Sequence, residues 1–139
     1  MNTRATATGG EFGPDHVNVA AQRRDPDSLL NWIKLLIRRY RECPELSWGD
    51  CTILEHNAPA VFALRSEYEG GVIVTAHNFG AEAAEVTLAV AGSGVGLRAV
   101  DLLRDGATGV AEDGTLTLKL EAHAPRWLRI VRPEDRYII

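Results

Sequence analysis

Carboxylates are the first groups to weigh in this sequence. A pair held at fixed separation can do general acid–base work, one carboxyl giving a proton while the other attacks or activates water. The chain offers Asp15 beside His16, Asp25 with Asp27, Asp101 with Asp105, and Glu112 beside Asp113. Asp25-Pro26-Asp27-Ser28 reads as a helix start, with Asp25 as N-cap, Pro26 at the first helical position and Asp27 at the positive end of the dipole. Asp101 and Asp105 flank a strand end and Glu112-Asp113 falls in a turn, where solvated charge is the rule. Spacing fixes no third group beside Asp15 and His16. On this reading the chain holds no catalytic residue.

Metal and cofactor chemistry find no better footing. Cys43 and Cys51, with four scattered histidines, lack zinc-ligand spacing and make no disulfide framework. His56 and His123 read as strand-end residues, while His77 sits on a strand beside Asn78 and is a weak candidate for contact with a sugar. The Gly92-Ser93-Gly94-Val95-Gly96 stretch lacks the helix and lysine of a phosphate loop and reads as a plain connection between strands. Sugar rings also stack on exposed aromatics, which brings in Trp48, Tyr68, Phe79 and Trp127. Alternation with Arg126 and Arg129 favours burial of Trp127 in a sandwich core. Trp48 falls at a helix-to-strand junction, where packing is the simpler role. Tyr68, next to the Gly70-Gly71 turn, is the second weak glycan-contact candidate.

The elements that must position these residues follow from periodicity. From Asp25 to about Cys43 the pattern is helical, and Pro44 ends it. Leu29, Trp32, Ile33, Leu36, Ile37 and Tyr40 share one face of that helix, with Asn31, Lys34, Arg38 and Arg41 opposite. So heavy an apolar face must be covered by something, which makes those six residues a candidate interface. After Leu46 the pattern alternates. Strands are expected at Thr52–Glu55, Val61–Arg65, Val72–Asn78, Val86–Val90, Leu97–Leu103, Thr115–Glu121 and Arg126–Val131, with turns at Glu69-Gly70-Gly71, Asp105-Gly106 and Asp113-Gly114. The fold class is therefore mainly β: an antiparallel β-sandwich of about seven or eight strands preceded by one long amphipathic α-helix. Residues 1–16 read as a flexible leader, 17–45 as the helical segment and 46–139 as the sandwich.

Composition narrows the function classes. The net charge is −4, and residues 46–139 carry 13 acidic against 8 basic groups. That argues against nucleic acid, which selects a surplus of Lys and Arg. No run of about 18 apolar residues is present, so no membrane-spanning segment is expected. The cysteine usage suits a cytoplasmic setting.

Three stretches carry a family resemblance. Val17-Asn18-Val19-x-x-Gln22, then Asp25-Pro26-x-Ser28-Leu29-Leu30-Asn31, then Leu36-Ile37-x-x-Tyr40-Arg41 resembles one segment of the α-amylase family of glycoside hydrolases, nearest its trehalose synthase and α-glucosidase-like branch. Val72-Ile73-Val74-x-x-His77-Asn78-Phe79 and Pro125-Arg126-Trp127-Leu128-Arg129-Ile130 are similar to strands of the all-β domain that ends those enzymes. The resemblance runs from about Gly10 to Val131. It implies that the helix corresponds to the last helix of a catalytic TIM barrel, a fold of about 250 residues. It also implies that the three catalytic carboxylates lie upstream of everything matched, so none carries over to a residue here. The implied function is a non-catalytic C-terminal portion of an enzyme acting on maltose, trehalose or short α-glucans. Its partner would be the barrel, covalently attached or separate, or a second copy through the helix. The alternatives are a stand-alone α-glucan-binding module and an interaction subunit using the same helix face.

Overall fold

A computed structural model of the chain describes residues 18–135. The leader expected over residues 1–16, with Asp15 and His16, lies outside the described residues. The chain divides into two units, residues 1–38 and 39–139.

In the first unit the helical segment is broken where a single helix was expected. α1 (Val19–Arg24) ends at Asp25, whose N–H donates to the Ala21 and Gln22 carbonyls. Asp25 is therefore the end of one helix rather than the cap of the next, and its Oδ1 accepts from the Asp27 N–H at 2.9 Å. Ser28 caps α2 (Leu29–Glu42) instead: its carbonyl takes the opening bond from Trp32 N–H, and its Oγ accepts from Asn31 N–H at 3.3 Å. A short side-chain oxygen three residues before an orphan donor is what an N-cap requires.

The second unit begins within the last turn of α2 and continues through α3 (Pro44–Trp48), which has Pro44 in its first turn. Eight strands follow: β1 (Asp50–Ile53), β2 (Val61–Tyr68), β3 (Gly71–Asn78), β4 (Ala84–Ala89), β5 (Arg98–Asp101), β6 (Ala107–Gly109), β7 (Thr115–Leu120) and β8 (Pro125–Val131). They form a six-stranded sheet in the order β1-β2-β3-β8-β5-β6 and a two-stranded sheet β4-β7, antiparallel throughout. The seven expected strands are all present. The added β6 is three exposed residues paired with β5, too short to show a period.

Alternation assigns the faces. Val61, Ala63, Val74, Ala76, Ala99, Leu128 and Ile130 of the large sheet meet Val86, Leu88, Leu116, Leu118 and Leu120 of the small one in a single core. Two side chains staple the sheets. Arg65 Nε donates to the Val90 carbonyl at 3.0 Å. Asn78 Nδ2 donates to the carbonyls of Glu82, Leu120 and Glu121 at 2.8, 3.4 and 3.1 Å, while its Oδ1 accepts from Gly80 N–H at 2.9 Å. The β2–β3 hairpin turns on Glu69 and Gly70, with φ of 49° and 82°, the left-handed pair of a two-residue loop. Among the described residues no helix is long and apolar enough to cross a membrane.

Candidate functional site

The polar residues of the helix-start segment form one hydrogen-bonded corner between α1 and α2. Asn18 Oδ1 caps α1 by accepting from Ala21 N–H at 2.8 Å. Gln22 Oε1 accepts from Leu30 N–H at 2.9 Å, supplying a partner to the first turn of α2. Ser28 Oγ donates to the Gln22 carbonyl at 2.6 Å, and Asn31 Nδ2 donates to the carbonyls of Gln22 and Asp25 at 2.8 and 2.6 Å. Helix ends leave four carbonyls and four N–H groups without intrahelical partners. This corner satisfies several of both with side chains, and so fixes the direction in which α2 leaves.

What α2 presents is a stripe. Leu29, Ile33, Ile37 and Tyr40 recur at helical spacing and are 65%, 42%, 47% and 47% exposed, and no residue of the helix is buried. Trp32 and Leu36, on the flank of the same face, are half-buried.

Comparison with known proteins places this architecture. Residues 70–129 match the family of sucrose hydrolase-like C-terminal domains. The structure resembles trehalulose synthase MutB from Pseudomonas mesoacidophila MX-45 at 20% identity and a TM-score of 0.63, covering 86% of this chain and 21% of that one. It resembles the α-amylase from Geobacillus thermoleovorans, solved with acarbose, at 23% identity and a TM-score of 0.68, covering 80% of this chain and 24% of that one. A maltogenic α-amylase from Thermotoga neapolitana matches at 15% identity and a TM-score of 0.64, over 78% of this chain and 26% of its own. The chain therefore shares its fold with part of each of these enzymes. It spans roughly a quarter or less of the length of these enzymes. No curated protein matches it in sequence.

The two glycan-contact candidates lie far apart. Tyr68 pairs with Gly71 at the hairpin end of β2 and β3, whereas His77 pairs with Phe62 at the opposite end. Six residues of strand, about 20 Å, separate the two rows, so they cannot share one sugar ring. The His77 ring stacks with Phe79 at 6.1 Å between centroids and 15° between planes. Phe62, which the sequence reading passed over, is exposed directly across from His77; the signal would have been the outward parity of both residues once the hairpin register was known. Burial lowers the His77 pKa below its ordinary value.

Two of the tryptophans behave differently from expectation. Leu128 and Ile130 take the core-facing positions of β8, so Trp127 projects from the other side of the sheet. There it packs against a smaller cluster of Cys43, Ile73 and Leu102 with Leu46. Trp48 ends α3 and is 76% exposed rather than packed at the junction.

Asp101 and Asp113 are held in local hydrogen bonds. Asp101 holds Arg126 Nε at 2.8 Å and accepts from the Leu103 and Arg104 N–H groups at 2.9 Å each. Asp113 Oδ1 accepts from the Thr115 N–H and hydroxyl, which draws its pKa below the usual carboxylate value. Sequence reasoning missed the buried Glu45, whose Oε2 lies 3.2 Å from Arg129 Nη2. That guanidinium also reaches Cys43 Sγ at 3.3 Å, and burial pushes the Cys43 thiol up from its ordinary pKa. Among the described residues no three His, Cys, Asp or Glu side chains gather to hold a metal ion.

Proposed function

We propose that the chain is the non-catalytic end of a glucoside-transforming enzyme, and that the stripe Leu29-Ile33-Ile37-Tyr40 lies against the catalytic barrel of the same polypeptide. The parent reaction is hydrolysis or isomerisation of maltose, trehalose or a short α-glucan, carried out by carboxylates on the barrel. The observation that carries this reading is the stripe itself. An amphipathic helix in a globular protein turns its apolar face toward a core, and here that face is the exposed one.

Magnitudes favour a tethered barrel over a separate one. Fully burying a Leu or Ile side chain contributes about 1.5–3 kcal/mol. Half-exposed residues gain about half of that, so the four supply about 4–5 kcal/mol, and an equally apolar partner surface doubles it to about 8–10 kcal/mol. Association of separate chains costs an estimated 4–15 kcal/mol. The stripe therefore gives weak docking between free chains and firm docking when a covalent link makes the encounter intramolecular. Cys43 and Cys51, both free thiols, suit a reducing cytoplasm.

The test is sedimentation equilibrium of the isolated chain beside its Ile33→Asp/Ile37→Asp variant. The expected result is weak, reversible self-association that rises with concentration and disappears in the variant, with unchanged circular dichroism. A chain that stays monomeric up to millimolar concentration, or a variant that associates equally, overturns the interface.

A further inference from the structure

The first unit contains a cleft that nothing above uses. It has a volume of about 530 Å³ and lies between the end of α1 and one face of α2. That volume falls in the range of roughly 300–1,000 Å³ typical of small-molecule sites. We propose that the cleft binds a small phosphate dianion, free or esterified to a sugar, between Arg23 and Arg24 of α1 and Lys34 and Arg38 of α2.

Two elements bring these cations to one place. Asn31, Lys34, Leu35 and Arg38 line the cleft from positions that share one face of α2. The end of α1 is held against the start of that face, because Asn31 Nδ2 donates to the Gln22 and Arg23 carbonyls at 2.8 and 3.3 Å. The Arg23 backbone is thus fixed beside a residue one helical turn from Lys34 and two from Arg38. This face lies opposite the stripe Leu29-Ile33-Ile37-Tyr40, so covering the stripe leaves the cleft open.

Charge selects the ligand class. Elsewhere Arg39, Arg65, Arg126 and Arg129 each meet a carboxylate. Among the described residues Arg23, Arg24, Lys34 and Arg38 meet none, and no carboxylate lines the cleft. Asp25, in the adjoining turn, is occupied with the Asp27 N–H. Four cations without an anion attract a group of charge about −2, which a phosphate monoester carries near neutral pH. Guanidinium forks can take its oxygens in pairs, with Lys34 as a point charge. Nucleic acid is disfavoured, since residues 46–139 carry 13 acidic against 8 basic groups and would repel an extended polyanion. Pro26 and Leu35 add apolar ground for the carbon skeleton of an ester. A dianion held by both helices stabilises their corner, because it binds only while the corner is formed.

The experiment titrates the full chain at low salt with inorganic phosphate, glucose 1-phosphate and glucose, followed by amide chemical shifts and amide exchange. The site is supported by saturable shifts at residues 23–24 and 31–38 with a phosphate, none with glucose, and slower exchange in α1. Lys34→Gln/Arg38→Gln should weaken binding about tenfold or more, and glutamine forms helices about as well as the residues it replaces. Arg23→Gln, on the other helix, keeps the test valid if the double variant fails to fold, and it too must weaken binding. Arg98→Gln/Lys119→Gln removes the same charge from the sandwich and must leave binding unchanged. Tighter binding of glucose 1-phosphate assigns the site to an ester, and tighter binding of inorganic phosphate to the free ion. No saturable shifts at millimolar phosphate, equal weakening in the Arg98→Gln/Lys119→Gln variant, or an equal response to glucose overturns the site.

Discussion

Replacing Asn78 by aspartate keeps the shape of the side chain and reverses its hydrogen-bonding sense. The wild-type amide is 2% exposed and directs its two N–H donors at three carbonyls, those of Glu82, Leu120 and Glu121. Aspartate offers oxygen to oxygen at those positions. Each buried hydrogen bond lost costs about 1 kcal/mol net, and leaving buried acceptors unsatisfied adds to it, so even the neutral acid destabilises by about 2 kcal/mol. The ionised acid fares worse, because burial without a counter-ion raises a carboxyl pKa by several units. A free aspartate titrates near about 3.9, and each unit by which the folded value exceeds it removes about 1.4 kcal/mol. With a rise of about two units the total loss at pH 7 reaches about 5 kcal/mol, a large part of the stability of an ordinary domain. The sign follows from linkage: a carboxyl with a raised folded pKa contributes no penalty below its unfolded pKa, and its penalty grows as pH rises from there to the folded value. Urea unfolding of wild type, Asn78→Ala and Asn78→Asp at pH 4 and pH 7 checks this. The two variants should differ little at pH 4, and Asn78→Asp should be weaker by about 2–3 kcal/mol at pH 7. An aspartate variant within about 0.5 kcal/mol of wild type at pH 7 refutes the staple, as does a deficit that ignores pH.

Further outcomes follow from other parts of the molecule. The His77 pKa is lowered by burial, so its contribution is intact above the unfolded value and declines as pH falls through it toward the folded one; wild type should lose more stability than His77→Gln between pH 7 and pH 5, and parallel unfolding profiles would contradict this. Asn31→Ala deletes the donor shared by the Gln22 and Asp25 carbonyls; amide exchange in α1 and the first turn of α2 should quicken by about ten- to a hundredfold, for a loss of about 1–3 kcal/mol. Glu45→Ala removes the carboxylate that meets Arg129 Nη2 and should cost about 1–3 kcal/mol in thermal or urea unfolding, whereas changing both residues to methionine should cost less. Equal losses in the single and double variants would show that the pair contributes through packing alone.

The core strands were legible because one face of each is buried: Thr115 to Leu120 alternates without interruption, and its leucines are the buried residues. The hairpin at Glu69-Gly70 was legible because a turn of two left-handed residues favours glycine. The break at Asp25 was not, since Asp-Pro-Asp-Ser holds two good caps and only the preceding α1, with carbonyls for Asp25 N–H to meet, decides between them. Trp127 went to the wrong face because Arg126 and Arg129 flank it with opposite parity, and only the pairing with β3 fixes which side meets the core. The candidate site was half legible. The stripe on α2 follows from helical period alone, while the basic cleft depends on the break at Asp25 that sets the end of α1 beside α2.

The central claim is that the stripe on α2 belongs against a barrel encoded in the same gene. Determining the genomic sequence immediately upstream of Met1 and translating it in all three frames tests this most directly. The account predicts a barrel-coding frame that runs into this one, directly or after a single-base shift, and that supplies three catalytic carboxylates. An upstream region that encodes an unrelated protein, or none, contradicts it.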